Sequence, residues 1–468
     1  MKRSKKILAA ILAAFSMLNL AGCSENRERN SDTSGVNSQT DSGGQSSDTS
    51  SSTEYHSSFG SQSSYTSSGN YSSSGSSQSP EPAPNDSEIE KIPYEPIKPG
   101  ANNTVNSVRL FDAVSADKKN AMFSPLSLNM ALGLVEAGAK GDTKAQIDSY
   151  LQTENYADFA EKYLEFAKTY YTEEERTMDW GKIAGTALEI ANSFWADNAL
   201  PVKDAYKQSA SKKFGAEIQN VDFGDESETV KKINGWVNEK THEMIPSILD
   251  GCDPETMAVL INTVYFESEW FMTEWRIDED CKEDFTLLDG TVKKLPLMES
   301  YGNKYYENDK ATAFSRGYRN GTTFIGILPK NTGEFTLEEL DIPSLLESGK
   351  SEGYIISAAM PRLNFETSFD LKDALTAAGL GDIFDENKAD LSGITDMPLW
   401  ITSVIQKTKL ELDEHGTRAS AVTEFGAGGG GGGEPPKEVE VRLDRPFAFL
   451  IYDETQDQIL FMGKVTEP

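Results

Sequence analysis

The stretch Glu414–Arg445, EHGTRASAVTEFGAGGGGGGEPPKEVEVRLDR, decides how the rest of this chain is read. Gly416 to Thr423 is a run of mostly small, β-compatible residues without proline. Gly428 to Gly433 are six consecutive glycines, followed by Glu434, Pro435 and Pro436. On either side lie apolar, β-rich runs, Trp400 to Leu412 and Phe447 to Met462. The pattern predicts a long exposed loop strung between two buried strands. Loops beyond about 12–15 residues inside a compact domain are uncommon, and are usually functional or disordered.

Working outward, the N-terminus reads as a targeting segment. Lys2, Arg3, Lys5 and Lys6 precede an apolar stretch, Ile7 to Leu20, that is short for a membrane helix. Leu20-Ala21-Gly22-Cys23 resembles a bacterial lipobox, which implies cleavage before Cys23 and lipid on its sulfur. The alternative is an ordinary signal peptide with a chance cysteine. The lipobox reading predicts an exported protein held by lipid on the bacterial cell surface, on the outer face of the membrane or released from it. Residues 24–101 are rich in Ser, Gly, Thr, Asn and Gln, then Pro and Glu. Such a segment buries too little apolar surface to offset its ordering entropy, which predicts a disordered tether of roughly 50 Å r.m.s. span.

Residues 102–468 carry regular apolar periodicity with no second linker, and read as one domain. The net charge of −31 argues against nucleic acid or an anionic membrane surface as partner, so membrane contact is expected only through Cys23. With Cys23 assigned to lipid, Cys252 and Cys281 remain. A strand of ~12 residues between them would separate its ends by roughly 40 Å, whereas a disulfide needs Cα atoms within about 7 Å. The chain could fold back after Trp270; the expectation is two unpaired thiols.

Along the domain, Val105 to Ser115 reads as a helix, Asn120 to Phe123 as a short strand, and Leu128 to Lys140 as a buried helix ended by Gly141 and Asp142. Thr143 to Leu151 starts another helix. Ala187 to Trp195 reads as a strand, and Val230, Ile233, Trp236, Val237 and Met244 fall at helical spacing. Met257–Trp270, Thr322–Leu328, Tyr354–Met360, Trp400–Leu412, Phe447–Tyr452 and Gln458–Val465 read as strands, and Leu371–Ala378 as a short helix. Helices gather early and strands late, which is an α+β pattern.

Catalytic chemistry is hard to place. The histidines are His56, in the tether, His242 and His415. There is no G-x-S-x-G elbow, H-E-x-x-H, C-x-x-C or P-loop, and among 75 acidic residues no carboxylate pair stands out. The reading is a non-enzyme with no metal or cofactor.

Six stretches together resemble the serpin family, over essentially all of 102–468. They are Asn120–Ser127 (N-x-x-F-S-P-x-S), Ile233–Thr241 (I-N-x-W-V-x-x-x-T), Leu260–Trp270 (L-I-N-T-V-Y-F-x-x-x-W), Ala389–Ile394 (A-D-L-S-G-I), Glu414–Ala419 (E-x-G-T-x-A) and Arg445–Val465 (R-P-F-A-F-L-I…L-F-M-G-K-V). The resemblance implies the serpin fold, with helices around a large central mixed sheet, smaller sheets and an exposed reactive loop at about 414–445. It implies a monomeric suicide-substrate inhibitor of serine proteases, and of some cysteine proteases as a further possibility. A protease cuts the loop and forms an acyl-enzyme, and the loop then inserts as a new strand between those around Met257–Trp270 and Trp400–Leu412, distorting the enzyme.

Within that frame Glu414, Gly416, Thr417, Ala419, Ala421 and Thr423 form the hinge. On the alternating register from Thr417, the residues Thr417, Ala419, Ala421 and Thr423 face the core, while Arg418, Ser420, Val422 and Glu424 face solvent. Gly416 would supply backbone freedom. Family spacing puts the cut in or just after the glycine run, with Gly429, Gly430, Gly431 and Gly432 as candidates, which suits shallow-pocket proteases of elastase or subtilisin type. Ser124, Ser127, Asn262 and Gln406 match a polar cluster beneath the opening sheet. Gln406 stands where the family often has histidine. Trp270 matches the aromatic at the top of the sheet, and Arg362 is the expected ion-pair partner of Glu414. The runner-up is a non-inhibitory surface binding protein that is merely cleaved.

Overall fold

The structure is a computed structural model. It describes residues 104–468 except 154, 179–180, 184, 272–274 and 418–435. The segments expected to be a targeting sequence and a tether, Cys23, Ala419, Ala421, Thr423 and the glycine run lie outside the described residues.

The chain begins with α1 (Thr104–Ser115), β1 (Asn120–Phe123), α2 (Pro125–Glu136), α3 (Gly141–Leu151) and α4 (Tyr156–Tyr170). A small hairpin, β2 (Arg176–Met178) and β3 (Gly181–Ile183), leads to β4 (Ala187–Asp197), α5 (Asp204–Phe214), β5 (Glu217–Val221) and α6 (Glu226–Lys240). Strands then dominate, with β6 (Ala258–Glu269), β7 (Arg276–Thr286), β8 (Val292–Tyr301), β9 (Tyr305–Glu307), β10 (Ala311–Gly317) and β11 (Thr323–Pro329). After α7 (Ile342–Glu347) come β12 (Tyr354–Met360), β13 (Leu363–Asp370) and α8 (Lys372–Ala377). The last strands are β14 (Ser403–Leu412), β15 (Gly416–Thr417), β16 (Lys437–Arg442), β17 (Phe447–Asp453) and β18 (Gln458–Val465).

The α+β architecture rests on three large sheets among the described residues. The central mixed sheet runs β13-β14-β15-β6-β4-β5, a second runs β1-β18-β17-β11-β10-β9, and a third runs β16-β12-β8-β7. Helix α2 packs against β18, β4 and β6, between the first two sheets. All twelve of its residues are buried, as expected of a helix that is apolar all round. Ser124 caps it by accepting from the Ser127 amide, and Pro125 occupies the first turn, where a missing N–H costs nothing. This helix starts earlier and stops sooner than Leu128–Lys140. Gly141 and Asp142 open α3 and do not terminate α2.

Helix α6 likewise ends at Lys240, short of Met244, because His242 and Glu243 take left-handed backbone angles (φ 48° and 64°) that a helix cannot continue. Its inner face, Ile233, Trp236 and Val237, packs with Trp195, Val259 and Ile261. Cys252 and Cys281 form no disulfide.

One correction concerns the long loop. It does not run to Arg445: Lys437–Arg442 is a strand, pairing in parallel with Tyr354–Ala359 at the edge of the third sheet. Its alternation of Val439 and Val441 with charged residues is a half-buried strand pattern, and Val441 is fully buried. Arg442 ties this strand down, meeting Glu299 at 3.0 Å, Glu440 at 3.2 Å and Glu283.

Candidate functional site

The site is a fork in the central sheet. Strands β6 and β14 pair in parallel over five positions, Ser403–Lys407 with Val259–Thr263. Beyond these the two strands part. Into the top of the opening comes β15, which turns back from the end of β14 and pairs antiparallel with both neighbours. Gly416 lies opposite Glu269, and Thr417 lies opposite Ser268 on one side and Leu412 on the other. Gly416 and Thr417, the first two residues past the turn, are therefore already sheet.

Side chains around this root explain why the chain turns here. Asp413 accepts the His415 and Gly416 amides on Oδ1, at 2.9 and 3.2 Å, closing an Asx-type turn. Trp270 donates from Nε1 to the Asp413 carbonyl (2.9 Å) and from its backbone to the His415 carbonyl (3.0 Å), while the Trp275 amide reaches the Glu414 carbonyl at 2.9 Å. Arg362 and Glu414 meet in a two-pronged pair, Nε–Oε2 2.7 Å and Nη2–Oε1 2.6 Å, and Arg362 also holds Glu279 at 2.6 Å. The guanidinium holds the Glu414 carboxyl below its ordinary range, against the opposing push of partial burial. Gly416 is needed for close approach as much as for backbone freedom. A Cβ there would lie 2.3 Å from the Ser268 carbonyl oxygen, on a backbone with φ 155°.

Thr417 is only 2 % exposed. Its hydroxyl lies 2.7 Å from the Tyr318 hydroxyl, and the Tyr318 ring stacks on Trp270 at 4.5 Å.

Lower down, where the two strands come together, a buried amide and hydroxyl cluster crosses the junction. Gln406 donates from Nε2 to the Ser124 carbonyl (3.0 Å) and to Asn262 Oδ1 (2.6 Å), and accepts the Ser124 amide on Oε1 (2.8 Å). The Asn262 Nδ2 group lies against the Ser127 carbonyl (2.9 Å), the Ser127 hydroxyl and Asn192 Oδ1 (2.6 Å). Ser124 donates its hydroxyl to the Leu460 carbonyl at 2.7 Å, which ties the cluster to β18.

The structure thus brings Ser124, Ser127, Asn262 and Gln406 together at the junction, and Trp270, Arg362, Glu414, Gly416 and Thr417 together at the fork. Sequence reasoning missed Tyr318, Trp275, Asp413 and Asn192. Tyr318 and Trp275 reach the root from the β10–β11 turn and the start of β7, whose docking no local pattern reveals. Among the described residues no three His, Cys, Asp or Glu side chains group as metal ligands.

The family described as Serpin (serine protease inhibitor) matches residues 101–468. Iripin-2 of Ixodes ricinus is 30% identical over 383 residues, covering 78% of this chain and 92% of that protein. Leukocyte elastase inhibitor A of Mus musculus is 30% identical over 388 residues, covering 78% and 98%. The native-state crystal structure of the thermophilic serpin Tengpin superposes with a TM-score of 0.66 at 30% identity, covering 78% and 93%. A match of this extent, on a fold whose central sheet forks at the root of a long loop, shows that the chain belongs to the serpin family.

Proposed function

We propose that this chain inhibits serine proteases as a suicide substrate: the loop that follows Thr417 is cut in its glycine run and inserts between β6 and β14. The observation that carries the reading is β15: the loop's leading residues already pair with both strands of the fork. Continuing that antiparallel register sets Ala419 between Leu410 and Phe266, Ala421 between Thr408 and Val264, and Thr423 between Gln406 and Asn262. Those six partners are all buried. Small or neutral residues thus fall on the core side, and charged ones on the other. Arg418 would enter between Glu411 and Glu267. From Val422 onward, insertion requires the five-position β6–β14 pairing to separate, and seating Thr423 breaks the Gln406–Asn262 bond.

No catalysis by the chain is involved; the attacking enzyme supplies it. Gly429, Gly430, Gly431 and Gly432 remain the proposed cut region, with elastase- and subtilisin-like enzymes as targets. The proposed setting is a bacterial surface, with a lipid at Cys23 and the residue 24–101 tether holding the domain off the membrane.

The test is to mix the protein with an elastase-type and a subtilisin-type protease. The products are separated on a denaturing gel and the cut is mapped by mass spectrometry. A band at the summed mass, cut between Ala427 and Pro436, is expected. Clean cleavage by both enzymes with no such band would instead support a binding protein that is only a substrate.

A further inference from the structure

We propose that Tyr318 is a positioning residue for loop insertion, its hydroxyl seating Thr417 and thereby fixing the register from which the loop enters the sheet. The proposal rests on the inhibitory reading above. Tyr318 does not belong to the central sheet. It lies in the turn between β10 and β11, and its ring is fixed by stacking on Trp270 (4.5 Å, 10° between planes) and by the edge of Phe266 (5.1 Å). Its amide donates to the Thr322 carbonyl at 2.8 Å. The turn is itself docked on the end of β6, where the Arg319 amide meets the Glu269 carbonyl (2.8 Å) and the Asn320 amide meets the Ser268 hydroxyl (3.3 Å). A rigid group from a second sheet therefore presents one hydroxyl at one position in the fork.

The Tyr318 side chain is 1 % exposed, and burial pushes its phenol far above the ordinary range, so it stays neutral while it holds the Thr417 hydroxyl. A buried hydroxyl left without a partner is costly, so the seat discriminates. A slip of one residue would offer it Arg418, and a slip of two would offer Ala419, which has no hydroxyl. The contact is already made before the loop is cut, and it acts by keeping the loop's leading residues seated in the fork at that moment. Thr417 keeps its place while the strand lengthens beyond it, so the bond adds nothing to later driving force. Without it a share of loops is cut while unseated and must regain the register before insertion starts, in competition with hydrolysis of the acyl-enzyme.

The experiment compares the parent with Tyr318→Phe, Thr417→Val, the double variant and Thr417→Ser. Three readouts are taken: the rate of protease attack on the loop, the ratio of cleaved to trapped product, and the insertion rate after cleavage, followed by tryptophan fluorescence. Phenylalanine keeps both ring contacts, so folding is preserved, and unchanged melting curves check this. Tyr318→Phe and Thr417→Val should each slow insertion about 2- to 10-fold, measured apart from any change in attack, and raise the cleaved-to-trapped ratio to match. That range is the net worth of one neutral hydrogen bond at about 1.4 kcal/mol per tenfold. The double variant should lose no more than either single one, and Thr417→Ser should behave like the parent. An unchanged insertion rate in Tyr318→Phe, additive losses, or a serine variant as slow as valine would overturn the seat. A parent that inserts after cleavage but never traps would sink the inhibitory reading, while the insertion rates still judge Tyr318.

Discussion

Replacing Thr417 by arginine tests whether the fork is a working entry site. Thr417 is 2 % exposed, and its hydroxyl is engaged by Tyr318 at 2.7 Å between two paired strands. An arginine in that place loses a hydrogen bond of about 1 kcal/mol. It also carries an unpaired guanidinium into the sheet, at an effective cost of several kcal/mol. Taking roughly 4 kcal/mol for the sum, and about 1.36 kcal/mol per tenfold, insertion slows on the order of a thousandfold. Hydrolysis of the acyl-enzyme is chemistry of the protease and keeps its rate. An inhibitor that traps nearly every enzyme it meets should therefore become one that is almost wholly cleaved. The assay is titration of a subtilisin-type protease to residual activity, with the same samples run on a denaturing gel. Equal trapping by Thr417→Arg and the parent would refute the reasoning, because a buried unpaired charge cannot be neutral at this position.

Three further outcomes are expected. Gly416→Ala places its Cβ about 2.3 Å from the Ser268 carbonyl oxygen, which expels β15; limited proteolysis near Thr417 should speed up at least several-fold, and unchanged protection would contradict the close-approach argument. Arg418→Glu sets a third carboxylate between Glu267 and Glu411, so its cleaved-to-trapped ratio should rise and rise further at low salt, whereas salt independence would refute the inserted register. Acid should loosen the loop root. The Glu414 carboxyl is held below its ordinary range by Arg362, so its stabilising share is present above the unfolded value and is lost as pH falls through the depressed folded one. Acid melting curves of the parent and Glu414→Gln should converge as that carboxyl protonates, and a constant gap would exclude the pair as the cause.

Much of this arrangement could be read before any coordinates. The central strand Met257–Trp270 and the strand Trp400–Leu412 are legible because one is a long apolar run and the other alternates, and the fork they form is the place that β15 occupies. The polar cluster was legible residue by residue from the resemblance alone, since nothing local says that Ser124 and Gln406 meet. Strand β7 escaped because it is an edge strand carrying Asp278, Glu279, Asp280, Glu283 and Asp284, with little alternation to read. Strand β16 hid behind the glycine run and two prolines, whose turn signals outweighed the Val439–Val441 alternation. Tyr318 was invisible for another reason: its role depends on the docking of a hairpin turn from a second sheet, a long-range fact that no local window carries.

The glutamine at the junction has a consequence for how the sheet responds to its surroundings. Ser124, Ser127, Asn192, Asn262 and Gln406 include no group that gains or loses a proton in the range where a protein stays folded. An imidazole at Gln406 would be the one titrating member, and protonation would turn its acceptor nitrogen into a second donor. With an amide in its place, the bonds that hold β6 to β14 are the same in acid and neutral surroundings. The resistance of this junction to strand entry is therefore set by the sequence and not by the medium. Acid dependence of loop insertion would come from carboxylates outside this cluster, such as the one at the root, which Arg362 holds below its ordinary range.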